Sequence, residues 1–122
     1  MTDPARDRPP IDFGSLVQRC MGDPRFAQAM LAMFAQQAPP MVRDLRSHLA
    51  AGDVARAASV AHALKGSAAN VSAQPLSEAA AAIEDRCRAG DMGTMPDAMA
   101  RLDEAMQRCL ACADAMASTE PA

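Results

Sequence analysis

Phe13, Phe26 and Phe34 are the only aromatic residues in a chain of 122 whose residues are half apolar. Any core must therefore be assembled from Ala, Leu, Met and Val. β-branched residues are scarce, and what remains favours helix over strand. The apolar composition alone thus points to an all-α protein. The length points to a single domain. Ten methionines supply adaptable apolar volume, most simply as core filler.

Helix breakers then divide the chain. Pro4, Pro9 and Pro10 mark a flexible tail over residues 1–10. A short helix is expected after Asp12, with Phe13, Leu16, Val17 and Cys20 on one face and Gly22 as its stop. Asp23-Pro24 reads as an N-cap followed by proline at the first helical position. Phe26, Met30, Met33 and Phe34 give this second helix an apolar stripe, and Pro39-Pro40 are expected to end it. A third helix, with Met41, Leu45 and Leu49 four apart, runs to about Ala51. Gly52 stops it and Asp53 caps the next, over about 54–71. Pro75 opens a fifth helix ending at Gly90. A loop with Gly93 and Pro96 precedes a last helix that ends near Met116. Long helices joined by short loops predict an antiparallel up-down four-helix bundle over residues 11–118, with one or two additional short N-terminal helices. The spacing leaves open whether the second helix belongs to the bundle. The first is expected to cap one end. Residues 119–122 read as a disordered tail.

Charge and composition exclude several roles. The net charge is −3 and the arginines are scattered, so nucleic acid is not an expected partner. No apolar run approaches the roughly 20 residues that span a bilayer, and residues 1–10 lack the apolar stretch of a secretory signal. Cys20, Cys87, Cys109 and Cys112 are too sparse for a disulfide scaffold. Cys109-x-x-Cys112 has a metal or redox spacing, but it lies in a helical pattern without a second ligand pair. No metal site is expected, and a reduced, cytoplasmic setting fits.

The fourth helix carries the chain's most distinctive run, Ala61-His-Ala-Leu-Lys-Gly-Ser-Ala-Ala-Asn70. At about 100° of rotation per residue, Leu64, Val60 and Val71 fall roughly opposite His62. The core stripe therefore points away from the imidazole. On its own side lie Ala55, Ala58, Ser59, Lys65, Gly66 and Ala69, all small except the lysine. Such a clearing lets another protein bring a reactive group to the ring. Gly66 inside a helix costs about 1 kcal/mol relative to alanine, so a reason of access or of packing is expected there. Lys65 is the only lysine; all other basic residues except histidine are arginine. A compact ammonium one turn from His62 suits a phosphoryl group, which adds about −1.5 to −2 charges. It also disfavours protonation of the ring, and only the neutral imidazole attacks phosphorus. His48 has no such surroundings.

The segment Ala61-His62-Ala-Leu64-Lys65-Gly66-Ser67-Ala68 resembles the core motif of histidine-containing phosphotransfer (HPt) domains. Asn70-Val71-Ser72-Ala73 is similar to that family's Asn-apolar-Gly-Ala turn, with Ser72 where glycine is usual. Leu76, Ala79 to Ala82 and Ile83-Glu84 resemble the helix that follows, and Phe34 an aromatic residue two helices before the acceptor. The likeness runs from about Asp12 to Asp91. It implies that His62 is the phosphoacceptor, through Nε2. Glu84 matches a position where a Gln or Glu lies near the imidazole, where it can accept the Nδ1 proton and hold the reactive tautomer. Arg88, one turn further, is assigned to the phosphate or to the docking partner. Ala55, Ala58, Ser59, Gly66 and Ala69 would line the partner surface.

The resemblance implies a monomeric phosphorelay intermediate between the receiver domain of a hybrid sensor kinase and that of a response regulator. It implies no kinase activity of its own, since the chain has no nucleotide-binding motif. It also lacks a receiver's acidic cluster. The chain is therefore expected to bind no cofactor, with Mg²⁺ supplied by the partner. The competing reading is a docking module of the same fold that carries no phosphate. A CxxC redox or metal protein is a third.

Overall fold

A computed structural model describes residues 8–118. Five helices follow one another: α1 (Phe13–Arg19), α2 (Pro24–Ala50), α3 (Val54–Asn70), α4 (Gln74–Ala89) and α5 (Met95–Ser118). The starts follow from side-chain caps. Asp12 accepts from the Ser15 amide, Asp23 from the Arg25 and Phe26 amides, and Asp53 from the Arg56 amide. Each satisfies N–H groups that a helix start leaves without partners. Gly90 ends α4 in the left-handed region, with φ of 70°. Pro96 lies inside the first turn of α5, where a missing N–H is harmless, rather than in the loop before it.

The largest difference from the sequence expectation is α2. Pro39 and Pro40 do not end a helix; they sit inside one of 27 residues. Each removes an N–H that would bond the carbonyl four residues back, here those of Ala35 and Gln36. Those residues are half-buried and exposed, so water can serve the carbonyls. The opposite face is unbroken. Ala27, Leu31, Phe34, Ala38, Val42 and Leu45 are all buried, at steps of three and four residues that run straight past the prolines. Packing on both sides of the pair outweighs a local cost of about 3 kcal/mol per proline. The same continuity revises the stripe: Phe26 and Met33 face outward, at 56 % and 58 % exposure.

The four long helices form a closed ring, in which α2 packs on α3, α3 on α4, α4 on α5 and α5 back on α2. The α2–α5 pair is antiparallel: Gln28 donates to the Met116 carbonyl near one end, and Arg46 pairs with Asp103 nearer the other. α2 is thus a full member of the four-helix bundle, and among the described residues α1 is the single extra helix. Leu16, Leu31, Leu45, Leu64, Leu76, Ile83, Leu102 and Cys109 are fully buried. No helix among the described residues is long and apolar enough to cross a membrane. Residues 1–7 of the expected N-terminal tail, and the expected tail 119–122, lie outside the described residues. Arg8 pairs with Glu78 on α4, and Ile11 is buried.

α1 is fastened to the turn between α3 and α4. The Asp12 amide donates to the Ser72 carbonyl at 3.0 Å, and the Ser72 hydroxyl donates to the Ser15 hydroxyl at 3.2 Å. Arg19 donates to the Ala69 carbonyl at 2.9 Å, at the end of α3. Ser72 has φ of 57°, which explains why glycine suits this position. Ser72→Gly exchanges relief of strain for loss of a hydroxyl contact, each about 1 kcal/mol, so its stability should stay within about 1 kcal/mol of the parent. Ser72→Val combines the strain of a β-branched residue with loss of the contact, and should cost about 2–3 kcal/mol. Urea unfolding of both variants decides it. Equal tolerance of valine and glycine would remove the left-handed turn from the explanation.

Candidate functional site

Asp53 starts α3, and a ladder of small apolar residues fixes its rotation. Ala57, Ala58, Ala61, Leu64 and Ala68 are its buried side. His62 lies at the edge of the outward face, with a side chain 63 % exposed. Gly66, Ala55 and Ser59 are exposed beside it, and Lys65 and Ala69 are half-buried. Ala58 departs from the expected partner surface, because it is buried. It stands about 40° round the helix from His62, towards the buried Ala61, and the neighbouring helices cover it. The clearing beside the imidazole is therefore Ala55, Ser59 and Gly66. A Cβ added at Gly66 meets no heavy atom within 4 Å. Close approach of a neighbouring helix is thus not what glycine serves there.

α4 supplies the other half of the site. Its buried residues include Ile83, Glu84 and Cys87, so Glu84 is carried on the face that packs inward. Glu84 Oε2 lies 3.0 Å from His62 Nδ1 and accepts from Arg88 Nη2 at 2.7 Å and Nε at 3.1 Å. Lys65 Nζ is 3.6 Å from Glu84 Oε1. One buried carboxylate thus collects three nitrogen-bearing side chains. The Arg88 hydrogen bonds hold the Glu84 carboxyl below its ordinary pKa against the opposing effect of burial, and His62 adds to the lowering. An ionised carboxylate has no proton to give. The proton between the two residues therefore belongs to Nδ1, which donates to Glu84. In a neutral ring, Nε2 is then left as a bare lone pair on a side chain that is 63 % exposed.

Ser77 completes the joint between the helices. Its hydroxyl donates to the Lys65 carbonyl at 3.0 Å and pins α4 to α3 one turn from His62. The sequence reading missed Ser77, for a serine among alanines carries no sign of which carbonyl it will meet. Arg88, expected at the phosphate or the docking partner, donates to Glu84 with a side chain that is 63 % exposed. His48 is half-buried at the far end of α2. Cys109 is fully buried and its thiol is pushed up to about 12 by burial, so it supplies no thiolate for redox or metal chemistry.

The sequence pattern of the Hpt domain matches residues 29–112. The chain belongs to the Hpt domain family. The match spans more than half of the chain, begins within α2, ends within α5 and includes His62, Lys65 and Glu84. Comparison with curated proteins and with solved structures found no match. Hpt domains are histidine phosphocarriers of two-component signalling, and they interact with receiver domains. The all-helical bundle of this chain is consistent with the Hpt fold.

Proposed function

We propose that His62 carries the phosphoryl group, taking it from the aspartyl phosphate of a hybrid sensor kinase's receiver domain and passing it to the receiver aspartate of a response regulator. The supporting observation is the Nδ1 contact with an ionised Glu84, which leaves Nε2 as the nucleophile. In the first step the P–O bond of the aspartyl phosphate breaks, the P–N bond to Nε2 forms, and the aspartate leaves as a carboxylate. The ring keeps its Nδ1 proton and gains positive character, which the Glu84 carboxylate offsets. The second step is the reverse reaction with a different aspartate. Catalysis is then in-line positioning together with electrostatic stabilisation. Mg²⁺ is assigned to the receiver partner. The Lys65 ammonium is assigned to the transferred phosphoryl oxygens, one turn along the helix. A single chain is taken as the working unit. The four free cysteines fit a reducing compartment such as the cytoplasm.

The test is incubation of the protein with a phosphorylated receiver domain. The expected product is an acid-labile, alkali-stable adduct on His62. An adduct on His48, or none with several receivers, would leave only the reading of a docking module.

Gly66 separates access from folding in the same assay. The open space beside it predicts that Gly66→Ala raises stability by up to about 1 kcal/mol. Gly66→Gln should leave the melting temperature near that of the parent yet slow transfer about tenfold, because its side chain stands in the receiver's path. A lowered melting temperature with undiminished transfer by the remaining folded protein would refute this use of the clearing.

A further inference from the structure

A groove of about 550 Å³ runs between α4 and α5 and takes no part in the histidine site. Ala82 lines it, and Glu84 lies two residues on, so about 200° of helix rotation separates the two. The groove and the phosphoacceptor therefore occupy opposite sides of α4. Its floor is made by small residues from both helices, Ala79 and Ala82 on α4 and Ala98 and Ala105 on α5. Its rim is charged. At one end Arg8 is paired with Glu78, and Arg108 donates to the Arg8 carbonyl. Glu104 lies within a turn of both Arg101 and Arg108. At the other end Arg86 donates only to neutral acceptors, the Thr94 hydroxyl and the Ala82 carbonyl. Arg101 is exposed and has no carboxylate within ion-pair distance among the described residues.

Two guanidinium groups, one from each wall, thus lie at one end of a groove lined by four arginines against two glutamates, with the Asp91 carboxylate reached only through the Thr94 hydroxyl. The chain as a whole carries −3. Planar guanidinium groups engage carboxylates in paired hydrogen bonds, and such matched charge selects partners and orientation. The body of the groove selects shape. Alanines let a third helix approach the α4–α5 pair closely. From Arg101 to Arg108 is about 10 Å along the axis, two turns of such a helix. A small anion finds less here: the walls are helix interiors whose N–H groups are engaged in the helices, and no aromatic residue lines them.

We infer that the α4–α5 groove is a second docking surface, which takes an acidic amphipathic helix of a partner protein while the histidine face stays open. The partner's apolar face seats on the alanine floor and its carboxylates reach Arg86 and Arg101. The two faces of α4 allow both partners to be held at once. This assignment is independent of the phosphoryl chemistry on His62.

The test is an amide chemical-shift titration of the full 122-residue protein at low ionic strength. Three synthetic peptides serve as probes: a helix with an Ala/Leu face flanked by glutamates, its lysine-flanked counterpart, and a scramble of the acidic peptide. The acidic helix is expected to shift amides of residues 78–86 and 98–108 and to leave 62–66 unmoved. The other two peptides should have no effect. Arg86→Glu combined with Arg101→Glu should weaken the acidic helix at least tenfold and leave transfer from a phosphorylated receiver unchanged. A response centred on 62–66, an equal response to the lysine peptide, or none to the acidic helix overturns the inference. So does stronger competition by ATP or inorganic polyphosphate at the same amides, which would mark a small-anion site instead.

Discussion

His62→Gln is expected to reduce labelling of the protein by a phosphorylated receiver to background. Glutamine offers no nucleophilic nitrogen, since its amide lone pair is delocalised. Its side-chain NH₂ can still donate to Glu84, so the contact that orders the site survives. The position is exposed, and substitutions of that kind usually alter stability by less than about 0.5 kcal/mol. Loss of labelling in a protein with a parental melting curve therefore isolates the chemistry. His48→Gln should transfer at the parental rate. Retained label in His62→Gln, or its loss in His48→Gln, would falsify the assignment.

The second large effect is expected at Glu84. Glu84→Ala removes the acceptor for Nδ1–H and releases Lys65 and Arg88 from a common anchor. The ring is then free to turn and to move its proton to Nε2. Misplacement of about 1 Å can cost about 10²-fold in rate, and transfer is expected to fall by about that factor. Glu84→Gln keeps a carbonyl oxygen for Nδ1–H and should recover most of the loss. Glu84 acts through His62, so the decisive readout is the ring itself. ¹⁵N spectra should show the Nδ1–H form in the parent and in Glu84→Gln, and a larger share of Nε2–H in Glu84→Ala. An unchanged tautomer with slower transfer would mean that Glu84 matters only for folding.

The same residue gives a pH dependence with a definite sign. The folded-state pKa of Glu84 is lowered from 4.5, chiefly by Arg88. Its ionised form therefore contributes stability above about pH 4.5, and that contribution is lost as pH falls through the lower folded value. The stability advantage of the parent over Glu84→Gln should shrink as pH falls below about 4.5.

Much of this arrangement is legible in the sequence because it depends on neighbours along the chain. Asp12, Asp23 and Asp53 cap helices three residues or fewer away, and Gly90 ends one where a left-handed residue is needed. Helical rotation alone puts Leu64 inside and Gly66 outside. What failed was non-local. Pro39-Pro40 read as a break because the penalty is local while the compensating burial of Ala27 through Leu45 is spread over two neighbouring helices. Ala58 lies one turn from His62, and its burial depends on helices that its own periodicity does not describe. The gathering of His62, Lys65 and Arg88 on one carboxylate joins two helices, and the family resemblance supplied only the Glu84 part of it. At Ser72 the resemblance marked the odd residue, and the backbone angle supplied the reason.

Every residue of that gathering lies on α3 or α4, the pair with the most extensive interface in the bundle. His62 and Glu84 are only 22 residues apart. In folding terms the His62–Glu84 contact is a local event. Closing so short a loop carries a small entropic penalty, and chains dominated by such neighbour contacts fold on the microsecond-to-millisecond scale. The ring closure of α2 against α5 is the distant step, and it involves none of the site's residues. The unit that carries the proposed phosphoacceptor is thus a helical hairpin that can assemble early, with the two flanking helices packed against it.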